Sequence, residues 1–245
     1  MSIQTEICCY SYLSAQRAHQ AGVDRIEVCG GFGEGGTTPS HGLVRLCVEN
    51  LSPKAYVMIR PRGGDFVYSK EEQEVIEADL FALKSLKPAG FVFGALTPDG
   101  EVDVTLCKKV VEWAQPFPLT FHRAFDYAKD PFLALEQIIE LGFERILTSG
   151  QAANAVLGLD LLKQLTEKAK GRIQIMAGAG VNEKNAGDFV AAGLPALHSS
   201  LKVWEESPFK TEKEIDMASG LPDLLGHYES SPEKLQQFIQ NTGKK

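Results

Sequence analysis

The feature that most constrains this chain is a regular alternation of short apolar runs with longer helical patterns, repeated eight times from end to end. The short runs fall at 3–8, 25–29, 55–59, 90–94, 145–150, 173–177 and 196–200, with a fifth in order at 117–119 that runs into 120–126. Helical patterns follow at 13–21, 38–51, 69–86, 103–113, 131–141, 157–170, 185–192 and 232–240. Helix signals punctuate them: Ser69 and Asp130-Pro131 as starts, Gly22, Gly142, Gly171 and Gly193 as stops. Thr38-Pro39 reads as a further start. Strands covered by helices on alternate connections pair in parallel. Eight such units in 245 residues predict an α/β fold closed as a (β/α)8 TIM barrel, in preference to a doubly wound open sheet. No linker divides the chain, so residues 1–245 are expected to form one domain. The stretch 204–231 is polar and is expected to be an irregular loop over one end, before the last helix.

Charge and cysteine usage narrow the function classes. A net charge of -7 and a pI near 5.3 leave no basic stripe for nucleic acid or an anionic membrane surface. No run approaches the ~18 apolar residues of a membrane span. The first residues, Met1-Ser-Ile-Gln-Thr-Glu6, lack the basic start and apolar core of a signal peptide. Five cysteines without a C-x-x-C or a disulfide-framework spacing fit a reducing compartment, and the expected location is cytoplasmic.

The chemistry gathers where strands end. Thr120-Phe121-His122-Arg123-Ala124-Phe125-Asp126 places His, Arg and Asp within five residues at such an end. Other strand ends do the same, as expected of a site resting on a rigid barrel. Alternate strand residues share a face. Glu6 with Cys8, and Glu27 with Cys29, are therefore predicted to point into the barrel on adjacent strands, while Ile7, Ile26 and Val28 pack outward. Arg60 and Arg62 share a face at the third strand end, and His198 with Ser200 at the eighth. Glu6, Glu27, His122, Asp126 and His198 are candidate acid–base groups, with Arg60 and Arg62 as carboxylate or phosphate clamps. The bland alternative is a closed Glu–Arg network that fills the barrel top, since buried charges must be paired. Gly178-Ala179-Gly180 after the seventh strand and Ser199-Ser200 after the eighth form a second constellation. Loops in those places often bind phosphate through backbone N–H groups, so an anion site is expected at Gly178, Gly180, Ser199 and Ser200.

Two tempting motifs fail. Gly31-Phe-Gly33-Glu-Gly35-Gly36 contains G-x-G-x-x-G, but the next helix starts after it, and the position for a ribose acid falls in an apolar strand. No nucleotide cofactor is expected. The five histidines include no H-x-H or H-E-x-x-H, so no local zinc signature exists.

Eight stretches together resemble one known family. They are Glu6-Ile-Cys8, Arg25-Ile-Glu27-Val-Cys29, Glu34-Gly-Gly36-Thr-Thr-Pro39-Ser40, Ile59-Arg-Pro-Arg-Gly-Gly-Asp-Phe66, Thr120 to Asp126, Arg145-Ile-Leu-Thr-Ser-Gly150, Met176-Ala-Gly-Ala-Gly180 and His198-Ser-Ser200. Residues 1–202 resemble the CutC copper-homeostasis family by these motifs. The resemblance implies a cytosolic (β/α)8 barrel that handles copper as Cu(I), with human-type members binding copper through cysteines. Cys8 and Cys29, inward on adjacent strands, are the candidate ligands, because paired thiolates suit a soft ion. Read from the residues alone, the same interior suits a lyase or isomerase acting on a small anionic or phosphorylated substrate. The expected partners are a copper ion or such a ligand, and the expected assembly is a homo-oligomer, a dimer first.

Overall fold

A computed structural model describes residues 3–52, 54–210 and 226–244. Eight parallel strands close into a barrel in chain order: β1 (Gln4–Cys9), β2 (Arg25–Val28), β3 (Lys54–Met58), β4 (Gly90–Phe93), β5 (Leu119–Phe121), β6 (Arg145–Thr148), β7 (Gln174–Ala177) and β8 (Ala196–Ser199). β8 pairs back onto β1, with Glu6 opposite His198. Around the barrel run α1 (Tyr12–Gln20), α2 (His41–Asn50), α3 (Lys70–Lys84), α4 (Val104–Ala114), α5 (Pro131–Leu141), α6 (Leu159–Ala169), α7 (Ala186–Ala191) and α8 (Pro232–Asn241). The TIM-barrel expectation therefore holds.

Local chemistry sets the helix ends. Ser69 and Glu72 make a reciprocal capping box at α3. Asp130 caps α5 with Pro131 in the first turn, and Gly142 ends it in the left-handed region. Thr38 does not start α2; Ser40 caps it, accepting from the Leu43 N–H. Thr38 instead clasps the end of β3, donating its N–H to the Arg60 carbonyl at 2.8 Å and accepting the Arg60 N–H at 3.1 Å. A side chain placed two residues too early for a cap thus fixes a site residue.

Strand parity divides the core in two. Ile7, Ile26, Val28, Val57, Phe91, Phe121 and Ile146 belong to the layer between strands and helices. Cys8, Cys29, Tyr56, Met58 and Val92 pack together inside the barrel, and Leu147, Met176 and Ala196 form a second inner group.

The stretch 204–231 departs from expectation. Residues 202–206 and 226–230 form an antiparallel ribbon, β9 (Lys202–Glu206) and β10 (Gly226–Ser230), with Trp204 opposite Tyr228. Its intervening residues 211–225 lie outside the described residues. The ribbon is tied to α1: the buried Glu229 carboxylate accepts from the Ser11 and Ser14 hydroxyls, and Arg17 donates to the Ser230 carbonyl at 3.1 Å. Alternating aromatic and charged residues gave little composition signal for strands, because the pairing partner is more than twenty residues away. No described helix is long and apolar enough to cross a membrane.

Candidate functional site

A cavity of about 640 Å³ opens at the C-terminal ends of the strands, where sites of this fold sit. Cys8, Glu27 and His198 line one wall, and Arg60, Phe66 and His122 line another. Below the first wall lies a buried charged layer. Arg25 Nε donates to Glu6 Oε2 at 2.6 Å, and Arg25 reaches Thr120 Oγ1 and Glu144 Oε1 at 2.9 Å each. Its guanidinium also sits 3.2 Å from the centre of the Tyr56 ring. Glu6 is fully buried and does not line the cavity. Its second oxygen lies 2.8 Å from His198 Nδ1, which aims the other ring nitrogen at Glu27, 3.9 Å away. Glu6 is thus a positioning residue for His198, as a carboxylate behind a histidine commonly is.

The sulfurs complete this wall. Cys8 Sγ and Cys29 Sγ are 3.8 Å apart, and Cys29 donates to Glu27 Oε2 at 3.4 Å. The other Glu27 oxygen is buried with no hydrogen-bond partner among the described residues. Burial alone would raise the Glu6 carboxyl, but Arg25, and then His198, hold it well below the usual carboxylate range. Burial, and then the adjacent Cys8, push the Glu27 carboxyl well up, against the pull of His198 at 3.9 Å. The Cys8 thiol is held well below its ordinary value, first by hydrogen bonding with Cys29, against burial, and then by His198. Burial pulls His198 down, yet the facing acids and Cys8 overcome it and raise the imidazole well above its ordinary value. Glu27 leads those acids, with Glu6 hydrogen-bonded at 2.8 Å, so Cys8 is shifted down while Glu27 and His198 beside it are shifted up.

Donor atoms of Cys8, Cys29 and Glu27 all lie within 4.8 Å of one another, as do those of Glu6, Glu27 and His198. One ion with ~2.3 Å bonds to sulfur spans sulfurs up to ~4.6 Å apart. The observed 3.8 Å is therefore within reach of a single soft ion, with Glu27 or His198 available beside it.

The opposite wall is different in kind. His122 is buried, and its Nδ1 accepts the Ala124 N–H at 3.2 Å, so the ring proton sits on Nε2. Burial and the neighbouring Arg60 charge push His122 down to about 3, so it stays neutral at working pH. Its place is made by Gly94, where a Cβ would stand 2.6 Å from His122 Nδ1. Gly94→Ala is expected to lower stability by about 1–3 kcal/mol, the cost of overpacking a filled interior. A urea midpoint unchanged from wild type would contradict that packing.

Several sequence expectations are corrected. Arg62 points away from the cavity, paired with Glu72 and, at 3.1 Å, Asp65. The glycines that follow it turn the chain outward. Asp126 also leaves the cavity; it accepts from the Ser149 N–H at 2.9 Å and Thr148 Oγ1, and pairs with Arg123 at 2.7 Å. It braces the loops after β5 and β6. The Gly178 N–H is spent on the Thr148 carbonyl at 3.0 Å, and its missing side chain makes room for Leu147. The Ser199 hydroxyl is spent on the Val181 carbonyl at 2.6 Å. Gly180 and Ser200 do line the cavity. However, α7 has only six residues, and Asn182 and Asn185 side chains take N–H groups at its entry. Of the expected anion site, Gly180 and Ser200 thus remain at the cavity, whereas the Gly178 N–H and the Ser199 hydroxyl are used within the protein.

Other site residues escaped sequence reading. Arg25 shares the inward face of Glu27 by parity, which was the available signal. Tyr10 after β1, Phe32 after β2, Lys202 on the ribbon and Lys234 on α8 also line the mouth, and Phe32 stacks on Tyr228 of the ribbon at 5.1 Å.

The CutC family model matches residues 3–203. The chain belongs to the CutC family. A human relative named copper homeostasis protein cutC homolog is 46% identical over 206 residues, 84% of this chain and 76% of that one. A CutC family protein from Parabacteroides distasonis is 45% identical over 239 residues, 96% of this chain and 98% of that one. The crystal structure of a CutC protein from Streptococcus agalactiae superposes with a TM-score of 0.77 at 32% identity, covering 81% of this chain and 98% of that one. In this CutC chain the family match ends inside β9, so β10 and α8 lie beyond it.

Proposed function

We propose that this CutC protein binds Cu(I) in the cytoplasm through Cys8 and Cys29 and takes part in copper homeostasis. The observation that carries the reading is the 3.8 Å approach of two inward thiols, one of them held well below its ordinary value, at the base of an open cavity. Thiolates are the preferred ligands of a soft d¹⁰ ion, and the hard oxygen of Glu27 competes poorly for it. The name of the human relative agrees with this use. All five cysteines are free and buried, as expected of a protein kept in a reducing compartment. Anaerobic titration against a chromophoric Cu(I) chelator tests the reading. One ion per chain, with a sulfur-to-copper charge-transfer band, is expected; failure to compete with the chelator would overturn it.

A second reading, a lyase or isomerase working without a nucleotide, is favoured by one observation. The cavity brings together Glu27, pushed up and with one oxygen unpartnered among the described residues, His198, also raised, and Cys8, lowered, a set suited to proton transfer. Its substrate would be a small anionic or phosphorylated molecule. Native mass spectrometry of freshly purified protein should then show a retained organic ligand, and solely bare protein would speak against it.

A further inference from the structure

We propose that Arg60 and His122 form the anchoring end of a binding site for a small oxyanion, the carboxylate or phosphate of a ligand that fills the cavity. The proposal is independent of the Cu(I) reading and supplies the recognition element that the second reading requires.

Arg60 is a buried cation whose charge no carboxylate cancels. Its guanidinium donates to three backbone carbonyls, those of Glu34 and Gly36 at 2.9 Å and Gly64 at 2.8 Å. Among the described residues no carboxylate oxygen lies within ion-pair distance of it; the Glu34 carboxylate turns instead to the Gly63 N–H at 2.6 Å. Its Nε is buried without a hydrogen-bond partner among the described residues. The Tyr68 hydroxyl nearby is also unpartnered, and a hydroxyl taking up that N–H would still leave the charge uncancelled. A buried charge persists when something pairs with it. Arg25, in the same barrel, shows the contrast, since it meets Glu6 and Glu144.

His122 supplies the second donor. Its Nδ1 is used as an acceptor, so Nε2 carries the proton, and that buried atom has no partner among the described residues either. Both side chains line the cavity, and both touch one ring: Phe66 lies 5.0 Å from the His122 ring and 4.9 Å from the Arg60 guanidinium. Two orphaned donors flanking one half-buried aromatic mark a place where an acceptor group is missing. The cations on the lining, Arg60, Arg123, Lys202 and Lys234, outnumber its carboxyl groups, Glu27 and Glu183, in a protein of net charge -7. Oxygen, rather than a cation or an apolar group, satisfies all of these at once. The opposite wall, with Cys8, Glu27 and His198, then faces the rest of the ligand.

The test uses the full chain with inorganic phosphate and with succinate as separate probes. A saturable rise in the thermal midpoint is expected with at least one of them, roughly 5–10 °C at about 100 times Kd. The response of each probe tells which group the site takes. His122→Phe should abolish the rise while keeping Cu(I) affinity, and the Cys8→Ser/Cys29→Ser variant should keep the rise. No response to either probe, an equal response in His122→Phe, or loss of response in the thiol variant would overturn the proposal. Should His122→Phe fail to fold, the ¹⁵N resonance of His122 Nε2 in wild type decides. It should move with the probe concentration, and a fixed resonance under saturating phosphate and succinate would count as refutation.

Discussion

Glu6→Gln is expected to lower the stability of the protein by about 3–5 kcal/mol, the usual cost of removing one partner from a buried ion pair. The side chain keeps its shape, so the loss reports charge rather than a cavity. Without the Glu6 charge, Arg25, Arg145 and His198 face one another inside the barrel with Glu144, which is part-exposed, as the remaining contact. Arg145 already feels the crowding, since burial and the Arg25 charge pull it down to about 10. Against a typical total of ~5–15 kcal/mol, such a loss can leave the protein mostly unfolded at 37 °C. Urea unfolding with an unchanged slope and a lower midpoint would show it; a change below about 1 kcal/mol would mean that the network carries little. The pH arm has a definite sign. Glu6 has a folded value depressed below the unfolded 4.5. Its stabilisation is therefore complete above 4.5 and lost as pH falls towards the folded value. The gap between wild type and Glu6→Gln should narrow below pH 4.5 and stay wide between pH 6 and 8.

The double variant Cys8→Ser/Cys29→Ser is expected to lose Cu(I) affinity by about 10³-fold or more. Loss of a merely supporting residue costs ~10–100-fold in metal affinity, and a ligand costs more. The two single variants are informative because the sulfurs are not equivalent. Cys8 lines the cavity and its thiol is held well below its ordinary value, whereas Cys29 is fully buried and its thiol is pushed well up by burial. Cys8→Ser removes the ready ligand and should cost more than Cys29→Ser. Glu27→Gln should cost less than either, because a carboxyl oxygen is a hard, weak ligand for a soft ion. Competition with a chelator at fixed pH gives all four affinities. An unchanged affinity in the double variant would move any copper elsewhere and remove the thiols from the function.

The eightfold alternation, and with it the closed barrel, was legible because the units are signalled locally by apolar period, several of them also by a capping residue or a glycine stop. Strand parity is equally local. It placed Glu6, Cys8, Glu27 and Cys29 inside and Ile7, Ile26 and Val28 outside, as found. Parity names a face but not a partner or a depth. Whether Glu6 would meet Arg60 or Arg25 depends on how strands stagger round the barrel, and the stagger puts Arg25 opposite Glu6 while Arg60 lies a layer higher. Loop paths decided the rest. Arg62 and Asp126 share strand ends with genuine lining residues, but the chain turns there and spends them on Glu72, Arg123 and the loop after β6. The ribbon at 202–206 and 226–230 brings Lys202 over the mouth through pairing between distant residues, which no short window contains. The amino-acid order by itself determined which residues enter the barrel, since that follows from a two-residue repeat. Only the tertiary structure decided which charges pair and which donors are left facing the cavity, since those depend on contacts between segments far apart in the chain.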